Sequence, residues 1–230
     1  MSQMKFMVEG KAGERVLDLQ YERVFAIGYA GRNMEKTMEH IKELEQELGV
    51  PAPKKIPTIF QCGNYVLTQE RNLAFVGNKT CGEVEYVIIL SHGKIYIGVG
   101  SDHTDRELEA VSVPKAKKIC AKPICSRIWD YEEIKDHWDE IKLRSWQTIE
   151  NKEVLYQEGT LKDILPVETI LNEMNGRIGA IDNCVIFSGT VPVKNGFCFG
   201  SNFRYEMEDK ILGRKLSADY NAEAVSEEER

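Results

Sequence analysis

The sequence predicts a single α+β domain of 230 residues in which strands predominate. Strand-like runs recur along the whole chain, and only three segments have the character of helices. The two kinds of segment do not alternate in the rhythm of βαβ units, which argues against a parallel α/β fold. A chain of this length can bury a substantial core, and its 42% hydrophobic content is typical of globular proteins.

The first thirty residues contain three strand-like runs, KFMVEG, RVLDLQY and RVFAIGY. A helix is predicted over residues 33–48, because apolar residues recur every three to four positions on one face. Gly49 and Pro51 are expected to end it. The apolar face consists of Met34, Met38, Ile41, Leu44 and Leu48.

The proline-rich connector VPAPKKIP leads directly into TIFQCGNYVL, and the pattern stays mostly β as far as residue 99. Residues 131–142, YEEIKDHWDEIK, look helical, whereas LRSWQTI and KEVLYQEG look like paired strands. PVETILNEM predicts a short helix with Pro166 in its first turn. CVIFSGTVP and FRYEMED are expected to close the β structure, and residues 224–230 to form a frayed, charged tail.

The overall charge argues against partners that need a basic surface. The formal charge is -7, which disfavours nucleic acids and anionic membranes. The start MSQMKFMVEG lacks an apolar core of signal-peptide length, no segment approaches a membrane span, and six scattered cysteines suggest reduced thiols. These features predict a cytoplasmic protein. The basic cluster Lys115, Lys117 and Lys118 predicts either a solvated loop or a small-anion site.

Two apolar runs around SHGK predict a β-hairpin. If His92 and Gly93 are the turn residues, Ser91 pairs with Lys94, and a four-residue SHGK loop gives the same register. A one-residue slip of this register would turn one strand's side chains to the opposite face. The register therefore decides which side chains meet.

The predicted register brings three carboxylates together. Glu85 faces Gly100 and Glu83 faces Asp102, so the three acids share one face of the sheet, with space left beside them by Gly98 and Gly100. Facing like charges are destabilising unless they share a proton or bind a cation. Three oxygen ligands suit Mg²⁺, Mn²⁺ or Ca²⁺ better than zinc. The pattern therefore predicts a metal site at Glu83, Glu85 and Asp102.

The sequence resembles the fumarylacetoacetate hydrolase superfamily from about residue 28 to about residue 208. GEVEYVII resembles the E-x-E strand of that family, GVGSDHTDRELE its "ND-x-S-x-RD" segment, and KAKKICAKP its lysine-then-proline stretch. YQEGTLKDIL and NCVIFSGTVP resemble its Q-x-G-x-T and "I-x-T-G-T-P" segments, while AIGYAGRN and PTIFQC are weaker matches to its upstream signatures. The closest resemblance is to a branch known only as a domain of unknown function.

The resemblance implies a fold, a cofactor and a substrate class. The fold would be a mixed β-sandwich or β-roll with a few peripheral helices, in a homodimer. Glu83, Glu85 and Asp102 would bind Mg²⁺ or Mn²⁺, with Ca²⁺ also compatible. The substrate would be a small 2-oxo or 1,3-dicarbonyl carboxylic acid that chelates the metal.

The resemblance also implies the residues that would surround this substrate. Lys117 would offset its negative charge, and Gly189 and Thr190 would hold its carboxylate. Arg32 is a second candidate for the carboxylate, with an ordinary surface arginine as the alternative.

The chain departs from the family pattern in three places. The interval from Glu85 to Asp102 is shorter than usual, and Gln61 stands where many members have lysine. RNMEKTMEH also lacks the histidine of the family's His-Glu dyad, for which His40, with a glutamate three residues later, could substitute. His103 adjoins Asp102, but on a regular strand it would point to the opposite face.

These departures leave the reaction open. The resemblance favours hydrolysis of a C–C bond, which needs a base to activate water. Decarboxylation or keto–enol isomerisation is the alternative, because an enolate stabilised by the metal requires less from a base. A protein that binds metal and ligand without catalysis is the third hypothesis.

Overall fold

A computed structural model describes residues 1–48 and 52–226. The predicted strand-dominated α+β fold is confirmed. The described part of the chain contains three α-helices, α1 (Met34–Leu48), α2 (Arg106–Ile119) and α3 (Val167–Ile178). Its strands are β1 (Ser2–Gly10), β2 (Gly13–Tyr21), β3 (Arg23–Gly28), β4 (Thr58–Cys62), β5 (Leu67–Thr68), β6 (Asn72–Val76), β7 (Thr80–Cys81), β8 (Val84–Ser91), β9 (Lys94–Ser101), β10 (Thr104–Asp105), β11 (Lys122–Pro123), β12 (Arg127–Asp130), β13 (Lys142–Ile149), β14 (Lys152–Thr160), β15 (Cys184–Thr190), β16 (Asn202–Asp209) and β17 (Arg214–Val225).

Eight strands form the larger sheet, in the order β2-β1-β12-β9-β8-β15-β3-β4. Most neighbours are antiparallel, but β1 pairs with β12 and β15 with β3 in parallel. The sheet curls, because residues from both of its ends share one apolar cluster, including Phe6 and Leu19 at one end and Phe60 at the other. The Tyr21 hydroxyl at the end of β2 donates to the Asn64 carbonyl just beyond β4. This curl gives the sheet the shape of a β-roll.

A second sheet covers the other face of the roll. Its order is β14-β13-β16-β17-β6. Tyr86 and Ile97 from the larger sheet pack in one buried cluster with Leu143, Tyr205 and Tyr220 from the smaller one. The central strands β8 and β9 are therefore buried on both faces, which explains their nearly continuous apolar sequence.

The central hairpin has the predicted register. Ser91 pairs with Lys94, and Glu85 pairs with Gly100. His92 and Gly93 form the turn, with φ values of 50° and 73°. A two-residue turn whose twist matches that of the strands requires such positive φ values. Just beyond the paired strands, the Asp102 amide donates to the Glu83 carbonyl at 2.9 Å.

Helix α2 follows this hairpin and is bent in the middle. The Asp105 side chain caps its first turn by accepting from the amides of Glu107 and Leu108. Ser112 has non-helical angles shortly before Pro114, which has no amide hydrogen and cannot continue a straight helix. This helix was not predicted from the sequence. Its second half carries the basic cluster Lys115, Lys117 and Lys118, which therefore does not lie in a loop.

The structure corrects two further expectations. Residues 131–142 contain two 3₁₀ helices, Tyr131–Glu133 and Lys135–Glu140, rather than one α-helix. Their hydrogen bonds close over three residues, as from the Ile134 amide to the Tyr131 carbonyl. Strand β17 was not predicted and extends to Val225, so the expected tail cannot begin at residue 224. Residues 227–230 lie outside the described part of the chain.

The three α-helices that the structure describes contain 15, 14 and 12 residues. None has the length and the apolar content that crossing a membrane requires.

Two glycine substitutions test the packing beside the hairpin. A Cβ on Gly100 would lie 2.8 Å from both the Phe187 ring and the Pro123 carbonyl oxygen, whereas a Cβ on Gly176 in α3 meets open space. We expect Gly100→Ala to lower the free energy of unfolding by about 1–3 kcal/mol through overpacking. Gly176→Ala should raise it by about 0.5–1 kcal/mol, because alanine is the better helix former. Urea denaturation measures both, and equal effects would contradict the packing described.

Candidate metal centre

Three carboxylates converge where the central hairpin ends. Glu83 immediately precedes β8, Glu85 lies in it, and Asp102 immediately follows β9. One oxygen from each lies within 4.8 Å of the others. Glu85 and Asp102 are each 1% exposed, while the Glu83 side chain is 14% exposed and forms the side of the cluster nearest to solvent.

Three cations surround the carboxylates. The Lys117 ammonium donates to Glu83 Oε2 at 2.7 Å and to Asp102 Oδ2 at 2.9 Å. Lys122, which is completely buried, pairs with Asp102 Oδ1 at 2.8 Å. Arg106 pairs with Glu83 Oε1 at 3.1 Å. The cluster therefore combines three acids with three bases in an almost dry environment.

The ion pairs set the charge states of Glu83, Asp102 and Lys117. Burial alone would raise the pKa of Glu83, but Lys117 and Arg106 outweigh it and lower that pKa. Burial is likewise outweighed at Asp102, where Lys117 and Lys122 lower the pKa to about 2. Burial disfavours the charged form of Lys117, yet the carboxylates of Asp102 and Glu83 raise its pKa well above the ordinary lysine value. All three groups are therefore charged at neutral pH.

Glu85 is different, because no cation contacts it in the described part of the chain. Burial first, and the neighbouring Asp102 second, raise the pKa of Glu85 well above its usual range. The Gly189 amide donates to its Oε2 at 3.0 Å, which only partly offsets this effect. Glu85 is the member of the cluster whose charged form still needs a positive neighbour.

The donor set fits a divalent cation. All three side chains offer oxygen, the ligand that Mg²⁺, Mn²⁺ and Ca²⁺ prefer. Asp102 Oδ1 is buried and pairs with Lys122 at 2.8 Å, and the same ammonium donates to the carbonyls of His103 and Cys120. Glu85 has no such partner among the described residues, and a bound cation would favour its ionised form.

Gly189 and Thr190 lie directly beside the carboxylates, at the end of β15. The amide of Gly189 is engaged by Glu85, as described above. The Thr190 hydroxyl donates to the Val84 carbonyl at 2.7 Å and accepts from the buried Gln157 amide at 2.8 Å. Both predicted substrate contacts are thus next to the cluster, with their polar groups bonded within the protein. Their role in binding a carboxylate stays a prediction.

His103 points away from the three carboxylates, as strand alternation predicts. Its ring stacks on Phe75 with centroids 3.7 Å apart, and its Nδ1 lies 2.7 Å from the Tyr220 hydroxyl. Burial, followed by the charges of Lys122 and Arg106, lowers the pKa of His103 well below 6.5. The ring is therefore neutral and held within the aromatic core between the two sheets.

The other two predicted site residues lie on or just before α1. The guanidinium of Arg32 donates to the carbonyls of Ile164 and Leu161, both at 3.1 Å, and pairs with Asp139. These contacts attach it to the chain before α3. The backbone of His40 is part of α1, while its side chain and that of Glu43 lie outside the described part of the structure. The substitute dyad therefore stays a prediction.

Sequence reasoning missed three residues that build the centre, namely Arg106, Lys122 and Gln157. Each stands in a segment whose resemblance to the family was noted, but no periodicity singles it out. Lys122 is preceded by three other lysines within eight residues, and only the fold shows that it is completely buried.

The fold is shared with solved structures of the fumarylacetoacetate hydrolase family. "Crystal structures of Cg1458" matches with a TM-score of 0.63 and 14% identity, over 98% of this chain and 100% of that one. A yeast protein, ynq8, described as a fumarylacetoacetate hydrolase family protein, matches with a TM-score of 0.63 and 17% identity, over 89% and 94%. A 2-keto-3-deoxy-D-arabinonate dehydratase complexed with magnesium and 2,5-dioxopentanoate matches with a TM-score of 0.58 and 18% identity, over 95% and 79%.

These similarities define the class of fold, and the predicted resemblance to that superfamily is confirmed. The particular family follows from the sequence, because residues 27–220 match the model of the family described as "Protein of unknown function (DUF2848)". The chain belongs to that family. No curated protein matches the sequence significantly.

The buried state of His103 predicts a pH dependence of stability. The unfolded chain takes up a proton on this histidine near pH 6.5, whereas the folded protein does not, so His103 costs stability as pH falls below that value. We expect about 1.4 kcal/mol per pH unit from this residue. Urea denaturation between pH 7.5 and 5.5 should show a smaller loss on acidification in His103→Gln than in the unchanged protein.

Glu85 acts in the opposite direction, because a raised carboxyl pKa favours the folded protein as pH falls through that pKa. Glu85 is present in both His103→Gln and the unchanged protein, so its effect cancels when their pH dependences are subtracted. An identical pH dependence in both proteins would contradict the buried neutral state of His103.

Proposed function

We propose that the protein is a divalent-metal-dependent enzyme that acts on a small 2-oxo or 1,3-dicarbonyl carboxylic acid. The observation that carries the proposal is the buried cluster of Glu83, Glu85 and Asp102, in which Glu85 contacts no cation among the described residues. The ionised form of a buried carboxylate is destabilising without an opposite charge, and a bound cation would supply that charge. The dehydratase with the same fold, bound to magnesium and 2,5-dioxopentanoate, supports the same cofactor and substrate class.

Mg²⁺ or Mn²⁺ is the proposed cofactor, with Ca²⁺ also compatible, and the three carboxylates would hold it. When bound, it supplies a Lewis acid that stabilises negative charge on an enolate oxygen. The protein's own contribution begins with Lys117, which keeps its charge inside the site and offsets that of an anionic substrate. Beside it, the amide of Gly189 and the hydroxyl of Thr190 would exchange their present partners for a substrate carboxylate.

C–C bond hydrolysis of an acylpyruvate-type substrate is the reaction that we propose first, because the sequence resembles the fumarylacetoacetate hydrolase superfamily. It requires a base that activates water. His103 does not fit this role, because its ring is turned away from the carboxylates, is engaged by Tyr220 and is a weak base as a result of its lowered pKa. His40 remains the candidate for it.

The position of His103 favours a second candidate reaction, decarboxylation or keto–enol isomerisation. In these reactions the main requirement is to stabilise an enolate, and Lys117 next to the carboxylates meets that requirement without a base for water. The alternative that is not an enzyme is a protein that binds metal and ligand without catalysis. The missing His-Glu dyad supports this alternative.

Metal binding can be tested through thermal stability. We expect Mg²⁺ or Mn²⁺ to raise the melting temperature, because a ligand that binds only the folded state stabilises it. Oxalate or pyruvate should add to this shift. Glu83→Gln and Asp102→Asn should abolish the metal-induced shift, and Asp102→Asn should also lower the metal-free melting temperature, because two buried lysines lose their anion.

Glu158→Gln is a matched control, since the one ion pair that the Glu158 side chain forms with the described residues is an exposed pair with Lys194. It should leave the metal-induced shift unchanged. Absence of any metal effect on the unchanged protein would refute the site, and a full shift in both ligand variants would refute the assigned ligands.

A measurement of substrate turnover distinguishes the two enzyme proposals from the non-catalytic metal-binding protein. Acylpyruvates and oxaloacetate are the test substrates, with Mn²⁺ present. Lys117→Met should lower kcat by roughly 10²–10³, because a charge aimed at the reacting centre is lost. Lys115→Met, an exposed lysine on the same helix, should have no effect. A metal shift without turnover of either substrate would favour the non-catalytic protein.

We also propose a homodimer in the cytoplasm, and no role for nucleic acid or membrane. The family resemblance supports the dimer, and the charge of -7 supports the absence of anionic partners. Light scattering should give twice the mass of the chain, and a monomer at micromolar concentration would contradict the dimer.

A further inference from the structure

We infer that Tyr29 is a further substrate-contacting residue of the metal centre, whose hydroxyl donates a hydrogen bond to the oxygen of a bound oxo acid that gains negative charge. This inference rests on the proposed function. It assigns a role to a residue of the segment AIGYAGRN that the carboxylate cluster does not include.

The backbone of Tyr29 is strained. Its φ is 55°, in the left-handed region that is strained for a residue with a side chain. The other non-glycine residues with positive φ in the described part have local explanations. His92, Glu150 and Asn151 form hairpin turns, and Asn183 is of a type that tolerates this conformation. Tyr29 instead follows β3 directly, and a bulky residue in this conformation often marks a functional site.

The segment after Tyr29 holds this conformation in place. The Ala30 carbonyl accepts from the Leu165 amide at 2.8 Å, and the Arg32 amide donates to the Asp163 carbonyl at 2.9 Å. The Arg32 guanidinium adds its bonds to the carbonyls of Leu161 and Ile164. Residues 30–32 are thus fixed to the chain before α3, so the backbone of Tyr29 cannot relax without breaking them.

This conformation places Tyr29 next to the carboxylate cluster. Ala30 touches Gly189 so closely that a Cβ on Gly189 would lie 2.7 Å from the Cβ of Ala30. The Gly189 amide in turn donates to Glu85. The charges of Glu109 and Lys117 act on the phenol and shift its pKa in opposite directions. The residue after Tyr29 therefore contacts the end of β15, whose Gly189 binds Glu85 of the cluster.

The hydroxyl of Tyr29 is available to a ligand. Among the described residues it has no hydrogen-bond partner, whereas the hydroxyls of Tyr21, Tyr86 and Tyr131 each donate to a protein oxygen. Burial first and Glu109 second raise the pKa of Tyr29, while Lys117 lowers it, so the phenol keeps its proton at neutral pH. A half-buried protonated phenol without a protein acceptor is suited to donate to an anionic oxygen.

Calorimetric titration of the Mn²⁺-loaded protein with oxalate tests this contact. Oxalate carries the charged oxygens of an enolate without being turned over. We expect Tyr29→Phe to weaken oxalate binding by roughly tenfold to a hundredfold, as for a lost hydrogen bond to a charged group. The affinity for Mn²⁺ and the melting temperature should stay unchanged, which a purely structural role would not predict. Tyr65→Phe, at an exposed tyrosine, is the matched control and should bind oxalate as the unchanged protein does.

A second variant tests the backbone strain. Asparagine tolerates the left-handed conformation, so Tyr29→Asn should keep or raise the melting temperature while weakening oxalate binding as much as Tyr29→Phe. A large fall in melting temperature would show that the ring is held for packing and would overturn the inference.

The outcomes distinguish this inference from the proposed function. If the unchanged protein binds neither Mn²⁺ nor oxalate, the proposed function fails. If it binds both and Tyr29→Phe binds oxalate with unchanged affinity, the proposed function stands and the role of Tyr29 is overturned.

Discussion

The ion pairs of Lys117, Lys122 and Arg106 with Glu83 and Asp102 are the constraint on which the rest of the structure depends. Removing a carboxylate from water is costly unless opposite charges and hydrogen bonds replace its hydration. Here the replacement comes from one segment, because Arg106 and Lys117 lie on α2 and Lys122 follows it in β11. The position of α2 against the hairpin is therefore fixed by charge as well as by packing. The bend before Pro114 separates two cations of the helix. Arg106, before the bend, pairs with Glu83 Oε1, and Lys117, after it, pairs with Asp102.

The three cations do not compensate every carboxylate of the cluster, and the carboxylate left without a cation determines what the cluster can bind. Glu85 contacts no cation among the described residues, and its pKa is raised by burial and by Asp102. A set of carboxylates that served only to stabilise the fold would not need this unpaired glutamate, since an apolar residue would pack there at no electrostatic cost. The centre is thus organised to accept further positive charge at Glu85.

Much of the fold and part of the site could be predicted because they depend on local rules. The two-residue turn at His92 and Gly93 fixes the register of β8 and β9, and the register fixes the meeting of Glu83 and Asp102. Strand alternation alone turns His103 away from Asp102. Strand β17 and helix α2 were missed for the opposite reason. The strand alternates weakly, and the helix contains a proline, so neither has the apolar periodicity that identifies such elements.

The sequence by itself determined the strand-rich fold, the hairpin register and the convergence of three carboxylates. Each depends on the order of neighbouring residues and on backbone geometry that repeats from residue to residue. Only the tertiary structure decided that Lys122 is buried against Asp102, that Arg32 is bonded to carbonyls near α3, and that Tyr29 is strained beside Gly189. These features depend on segments far apart in the chain, and the energy of a charge or of a strained backbone is set by what those distant segments place around it.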